Sequence, residues 1–242
     1  MLWSCGFKRS SGFIPAQVAD APKRAGFVQP RCGDPRFVNL RLPRKMKPKR
    51  TSASEPIETE AKIRVTSLAA IRRLVVAAHG RLSHARALET NTLFDSVAGA
   101  LSTQGKSLRV RDYGGAGWLT LKGRVSVSAG LKSRAELETE VGSPEVQAQI
   151  LISLGFLPRF RYQKRREVWT VGSCVVCLDD TPLGPFVEVE GSAAVIHRVA
   201  AQLGLGPERF LSASYPALWF ESGRTGDMIF PRSKPISAGK RA

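Results

Sequence analysis

The sequence predicts an α+β domain: a largely antiparallel sheet of about eight strands, curled into a barrel with charged side chains inside and helices outside. Three observations predict it. Segments between residues 57 and 190 alternate apolar with polar side chains, the period of a strand. Three other segments carry helix caps and stops. The charges on the alternating segments are sorted by sign, strand by strand.

The elements follow in order. Over 57–65, Ile57, Thr59, Ala61, Ile63 and Val65 share one face, and Glu58, Glu60, Lys62 and Arg64 the other. A helix is expected over 67–79, with Ser67 as cap, Gly80 past its end, and Leu68, Ile71, Leu74, Val75 and Ala78 on its apolar face. A strand holds 92–94. The next, 108–111, sets Leu108 and Val110 against Arg109 and Arg111. Over 118–124, Trp118, Thr120, Lys122 and Arg124 oppose Leu119 and Leu121. Over 134–141, Arg134, Glu136, Glu138 and Glu140 oppose Leu137 and Val141. A second helix, 144–154, is capped by Ser143, opens on Pro144 and stops at Gly155. Strand 163–169 groups Lys164 with Arg166. Strands 174–179 and 186–190 follow, the latter with Glu188 and Glu190 against Val187 and Val189. A third helix, 193–203, is capped by Ser192 and stopped by Gly204, and a short piece follows Pro207.

Taken singly, each charged face would point to solvent, as in an ordinary antiparallel sheet. Two features turn the charges inward. Glu-x-Glu recurs at 58/60, 138/140 and 188/190, whereas Arg109/Arg111 and Lys164/Arg166 are basic pairs. Like charges on neighbouring strands repel, and a solvated face mixes signs. The helices, moreover, need apolar sheet surface, which they find only on the outside of a barrel. A lumen of clustered acids and bases calls for ligands of both signs: Mg²⁺ or Mn²⁺ for the carboxylates, a polyanion for the bases.

Composition narrows the rest. The chain has 242 residues and a net charge of +17, concentrated in its ends: residues 1–50 hold twelve Lys/Arg against two Asp/Glu. We therefore expect a basic extension over 1–54 without fixed structure, a domain over 55–221 and a loose basic tail over 222–242. Met46 is an alternative start. A nucleic-acid partner would concern the ends alone and is not expected. No stretch is long and apolar enough to span a membrane, and the N-terminus lacks a secretory core. A cytoplasmic location is expected, with the oligomeric state open and a homodimer among the options. Cys5 and Cys32 lie in the extension. Cys174 and Cys177 are three residues apart on a strand, hence on opposite faces, and read as small apolar fillers. His79, His84 and His197 read as surface residues.

The same residues resemble the CYTH superfamily, the triphosphate tunnel metalloenzymes. Glu58-Thr-Glu60-Ala-Lys62 matches the Glu-x-Glu-x-Lys signature. Thr92-Leu-Phe-Asp95, Leu108-Arg109-Val-Arg111, Leu119-Thr-Leu-Lys122-Gly123, Ser133-Arg134-x-Glu136-x-Glu138-x-Glu140 and Lys164-x-Arg166-x-x-Trp169 follow in the family's order. Leu178-Asp179, Leu183-Gly184 and Phe186-Val-Glu188-Val-Glu190 resemble its closing strands. The likeness covers about 55–221. Trp169 stands where Tyr is more usual, two cysteines sit on one strand, and the extension has no counterpart.

The resemblance implies a closed tunnel of eight antiparallel strands and a metal-dependent enzyme on a triphosphate, such as ATP, tripolyphosphate or thiamine triphosphate. The motifs look most like the class IV adenylate cyclase-like branch, so cyclisation of ATP to cyclic AMP and pyrophosphate is the favoured activity. Inorganic or thiamine triphosphatase is the alternative, and a non-catalytic polyphosphate-binding module a further one. Glu58, Glu60, Lys62 and Lys122 are the expected catalytic residues. Lys62, Arg109, Arg111, Lys122, Lys164 and Arg166 are expected to bind the triphosphate, with Arg64, Arg124 and Arg134 as further contacts near the mouths. Glu58, Glu60, Glu138, Glu140, Asp179, Glu188 and Glu190 are the expected Mg²⁺ or Mn²⁺ ligands, too many for one ion.

Overall fold

The computed structural model describes residues 56–231; the basic extension, Cys5, Cys32, Met46 and the end of the tail lie outside them. The elements run β1 (Ile57–Arg64), α1 (Leu68–Ala77), β2 (Arg81–Ser96), α2 (Ala100–Thr103), β3 (Ser107–Tyr113), β4 (Ala116–Lys122), β5 (Ser126–Ser128), β6 (Leu131–Val141), α3 (Pro144–Ser153), β7 (Phe156–Val171), β8 (Cys174–Thr181), β9 (Gly184–Glu190), α4 (Ala193–Gln202), β10 (Phe210–Leu211) and α5 (Tyr215–Glu221). A 3₁₀ turn, Pro207–Arg209, is the short piece expected after Pro207. Around the barrel the order is β1-β9-β8-β7-β2-β3-β4-β6, and β6 pairs back with β1 to close it. Every pairing within it is antiparallel.

Closure decides which face goes where. Ala61, Ile63, Val65, Cys174, Val176, Leu178, Val187 and Val189 point outward, yet are buried beneath Ile71 and Val75 of α1 and Ile196, Val199 and Ala200 of α4. On the opposite face Glu60, Lys62, Asp179 and Glu188 are buried too. The sheet is thus covered twice, by apolar helices outside and by ionic contacts within. A second apolar cluster joins Leu151 of α3 to Phe94, Leu108 and Val110, with Leu119 and Leu121 packed against it.

Local chemistry sets the helix ends. Ser67 Oγ accepts from Ala70 N at 3.2 Å, and Ser143 Oγ from Val146 N at 3.2 Å, each satisfying a free N–H of the first turn. Ser192 holds the same place before α4 without a side-chain bond. After α1 it is His79, at φ 57°, that turns the chain. Gly80 serves close approach instead: a Cβ there would lie 2.6 Å from Val75 Cγ1. Arg72 then anchors α1 to β7, donating to both Glu167 oxygens at 2.8 and 2.7 Å.

The strands exceed their expected lengths. β2 and β7 each run 16 residues, and β6 starts at Leu131. The short elements α2, β5, β10 and α5 were not anticipated. Packing also continues past the expected boundary at 221. Met228 is fully buried, donates from its N–H to Arg161 O at 2.9 Å and accepts from Gln163 N at 2.8 Å. Cys174 and Cys177 are free and buried, the first in the outer core and the second on the inward face, and burial raises both thiols above their ordinary range. Among the described residues no helix is long and apolar enough to cross a membrane.

Candidate active site

The lumen is a cavity of about 550 Å³, a size that holds small ligands. Of the expected residues, Glu58, Glu60, Lys62, Arg109, Arg111, Lys122, Arg134, Glu138, Lys164, Arg166, Glu188 and Glu190 line it. Asp179 is fully buried behind that wall. Glu140 is exposed and outside it, paired across the strands with Trp118. Arg64 is drawn away, donating to Leu183 O at 2.7 Å and lying over the Phe186 ring. Arg124 is exposed and not part of the wall. Neither His79, His84 nor His197 reaches the cavity.

Two ionic groups make up the wall. In the first, Arg166 grips both oxygens of Asp179 at 2.7 Å and also donates to Glu188. Lys164 lies 3.2 Å from Asp179, 3.4 Å from Glu89 and 3.7 Å from Glu188, and Lys62 lies 2.9 Å from Glu188. Tyr215, carried in by α5, donates to Asp179 at 2.8 Å while its ring sits beneath Lys62 and Lys164. Asp179 and Glu188 are therefore committed to holding bases. In the second group Glu138 accepts from Arg111 at 2.6 Å and Thr120 at 2.7 Å. Lys122 donates to Glu58 at 2.8 Å and also to Glu136, Arg134 lies 3.7 Å from Glu58, and Lys132 donates to Glu60 at 2.7 Å.

Within this wall Glu58, Glu60 and Glu190 converge, one oxygen of each lying within 4.8 Å of the others. Burial, with Glu58, Glu188 and Glu60 nearby, pushes Glu190 up to about 7 against the pull of Arg166. Among the described residues Glu190 has no ion-pair partner. Burial and the bond to Glu58 also push Glu136 up to about 7. Glu58 is held below the ordinary carboxylate range, because the Glu136 bond, Lys122 and Arg134 together outweigh its burial. The two shifts run in opposite directions, as neighbouring carboxyls drive each other apart. An all-oxygen group with an unpaired, part-buried acid suits a hard divalent cation, so Mg²⁺ or Mn²⁺ fits here.

Several lumen residues were not in the expected site: Glu89, Asn91, Lys132, Glu136, Tyr162 and Tyr215. Asn91 donates to Glu89 at 2.9 Å, and Arg109 to Tyr162 at 3.4 Å. Glu136 carried a signal, the alternation of β6. Glu89 is held at about 2, because Lys164, Arg166, Arg111 and Arg109 outweigh its burial. Its ionisation therefore stabilises the fold fully above pH 4.5, its ordinary value, and the contribution is lost as pH falls toward 2. Glu89→Gln should flatten the acid limb of stability in that window, read as urea midpoints against pH.

The family model described as CYTH domain matches residues 56–203. No curated protein matches the chain. Among solved structures, a Vibrio parahaemolyticus protein provisionally named an adenylate cyclase shares 22% identity at TM-score 0.59, over 66% of this chain and 95% of its own. The PH1012 protein of Pyrococcus horikoshii shares 24% at TM-score 0.55, over 65% and 96%. A Hippeastrum protein named as an adenylyl cyclase, and described as having a dominant triphosphatase activity, shares 21% at TM-score 0.52, over 69% and 97%. These likenesses support the barrel fold.

Proposed function

The chain belongs to the CYTH domain family, and from that premise we propose that it is a metal-dependent enzyme that cleaves a phosphoanhydride bond of a triphosphate held in the lumen. One observation carries this reading. The Nε donors of Arg109, Arg111 and Arg134 are buried without hydrogen-bond partners, and basic side chains outnumber acidic ones along the wall. Buried donors demand acceptors, and guanidinium groups favour phosphate oxygens.

The roles follow from placement. Lys62, Arg109, Arg111, Lys122, Lys164 and Arg166 bind the phosphates, the arginines as forks and the lysines as point charges. Asp179, Glu188 and Glu89 fix Arg166 and Lys164 in place before substrate arrives, so little reorganisation is needed at the moment of reaction. Glu58, Glu60 and Glu190 would hold Mg²⁺ or Mn²⁺, which when bound supplies charge for the phosphate oxygens and orients the attacking oxygen. Glu138 is read as the orienter of Arg111 and Thr120, and Glu140 as a mouth residue.

The leading reaction in this reading is hydrolysis, with water attacking and phosphate leaving. ATP cyclisation is the second reading, favoured by the motifs shared with the class IV adenylate cyclase-like branch: the ribose 3′-hydroxyl attacks and pyrophosphate leaves. A cytoplasmic setting is part of this reading. The test is to incubate the full chain with tripolyphosphate, thiamine triphosphate or ATP plus Mg²⁺ or Mn²⁺ and resolve the products. Phosphate release supports hydrolysis, and cyclic AMP with pyrophosphate transfers the reading to the cyclase. Tight binding without turnover leaves a binding module and overturns the enzyme.

A further inference from the structure

Lys132 stands directly across from Glu60 in the β1–β6 pairing. Its Nζ donates to Glu60 Oε1 at 2.7 Å, with both side chains buried. Among the described residues Glu60 is its sole acidic partner. The other acid-paired lumen lysines differ: Lys62 bonds Glu188 at 2.9 Å and stands 4.0 Å from Glu60, Lys122 is shared by Glu58 and Glu136, and Lys164 by Glu89, Asp179 and Glu188. Glu60 is also one of the three converging carboxylates. An ammonium and a divalent cation therefore claim the same acid, and at such range in a shielded cavity they repel each other strongly. The lysine stem is flexible and can carry its charge to another acceptor, and a polyphosphate in the lumen offers acceptors on every side.

Resting on the reading that the lumen takes a triphosphate, we propose that Lys132 is a positioning residue that guards Glu60. It keeps a free divalent cation from the carboxylate group and releases Glu60 when an entering polyphosphate accepts its ammonium. The cation then enters together with the polyphosphate instead of ahead of it, and the empty lumen stays largely metal-free.

The experiment is calorimetric titration of the full chain with Mn²⁺ alone, then with Mn²⁺ in the presence of a saturating methylene-bridged triphosphate. Without the analogue, Lys132→Met should bind Mn²⁺ about tenfold more tightly than the wild type, and Lys132→Arg within about twofold of it. With the analogue, the Lys132→Met advantage should vanish. A folded Lys132→Met that binds Mn²⁺ no more tightly than the wild type overturns the proposal, as does Lys132→Arg behaving like Lys132→Met. Should Lys132→Met not fold, the ammonium protons of Lys132 in the wild type provide the measurement. They should stay protected in NMR spectra with Mg²⁺ alone and lose protection only with Mg²⁺ plus the analogue; loss with Mg²⁺ alone contradicts it. If the analogue does not bind at all, the triphosphate reading fails, while the Mn²⁺-only comparison still decides whether Lys132 competes for Glu60.

Discussion

Arg166→Met should lower the unfolding free energy by about 3–5 kcal/mol, the usual cost of removing one partner from a buried ion pair. The guanidinium holds both oxygens of Asp179, donates to Glu188 and lies 3.7 Å from Glu89 Oε2. Without it Lys164 remains as the near neighbour of all three acids. Lys62 still reaches Glu188 and Tyr215 still donates to Asp179, but neither replaces a guanidinium shared by three buried carboxylates. Urea unfolding should show a lower midpoint at unchanged slope. Adding Asp179→Asn should recover part of the loss, because that residue's charge no longer needs an answer. A midpoint like the wild type's would mean that water, and not Arg166, solvates this part of the barrel.

Glu58→Gln should lower kcat/KM by about 10²–10³-fold, the scale seen when one preorganised electrostatic group is removed from a catalytic site. The amide keeps the shape of the side chain and removes its charge. Two functions are lost together: an anionic oxygen of the group shared with Glu60 and Glu190, and the charge that answers the Lys122 ammonium. Circular dichroism should show the fold intact, because Glu58 is only part-buried and sits near the start of β1. Raising Mn²⁺ should recover part of the activity if the defect lies in cation binding. Lys122→Ala should lose turnover on a similar scale, with a larger share in KM. Full activity in both variants would end the assignment of this wall as the active site.

What the sequence revealed and concealed has physical causes. The helices α1 and α3 were legible because Ser67 and Ser143 sit where an N-terminal N–H needs an acceptor, and each makes that bond. The inward turn of the charges was legible because Glu58/Glu60, Arg109/Arg111 and Glu188/Glu190 sort by sign, which an outer face has no reason to do. The first half of β2 was concealed because Arg81–Arg86 is exposed on both faces and lacks alternation. Its loss took Glu89 and Asn91 with it. Lys132 was missed because β6 begins before the acidic run that announced it. Tyr215 follows Ser-Ala-Ser, a stretch that reads as a loop; only the tertiary fold brings its hydroxyl to Asp179. Met228 was hidden in the same way, inside a tail rich in Gly, Pro, Ser and Lys, and it packs against β7 together with Phe230. Glu140 obeyed the alternation of β6 yet missed the cavity, because periodicity gives the face of a strand and not the depth at which the barrel ends.

The central claim is that the lumen seats a triphosphate and its cation together. A crystal structure of the full chain grown with Mn²⁺ and methylene-bridged triphosphate tests it most directly. The account predicts an anomalous Mn²⁺ peak bounded by Glu58, Glu60 and Glu190, with phosphate oxygens reaching Arg109, Arg111 and Arg134. Analogue density confined to the outer surface, with no Mn²⁺ peak at those three carboxylates, would contradict it.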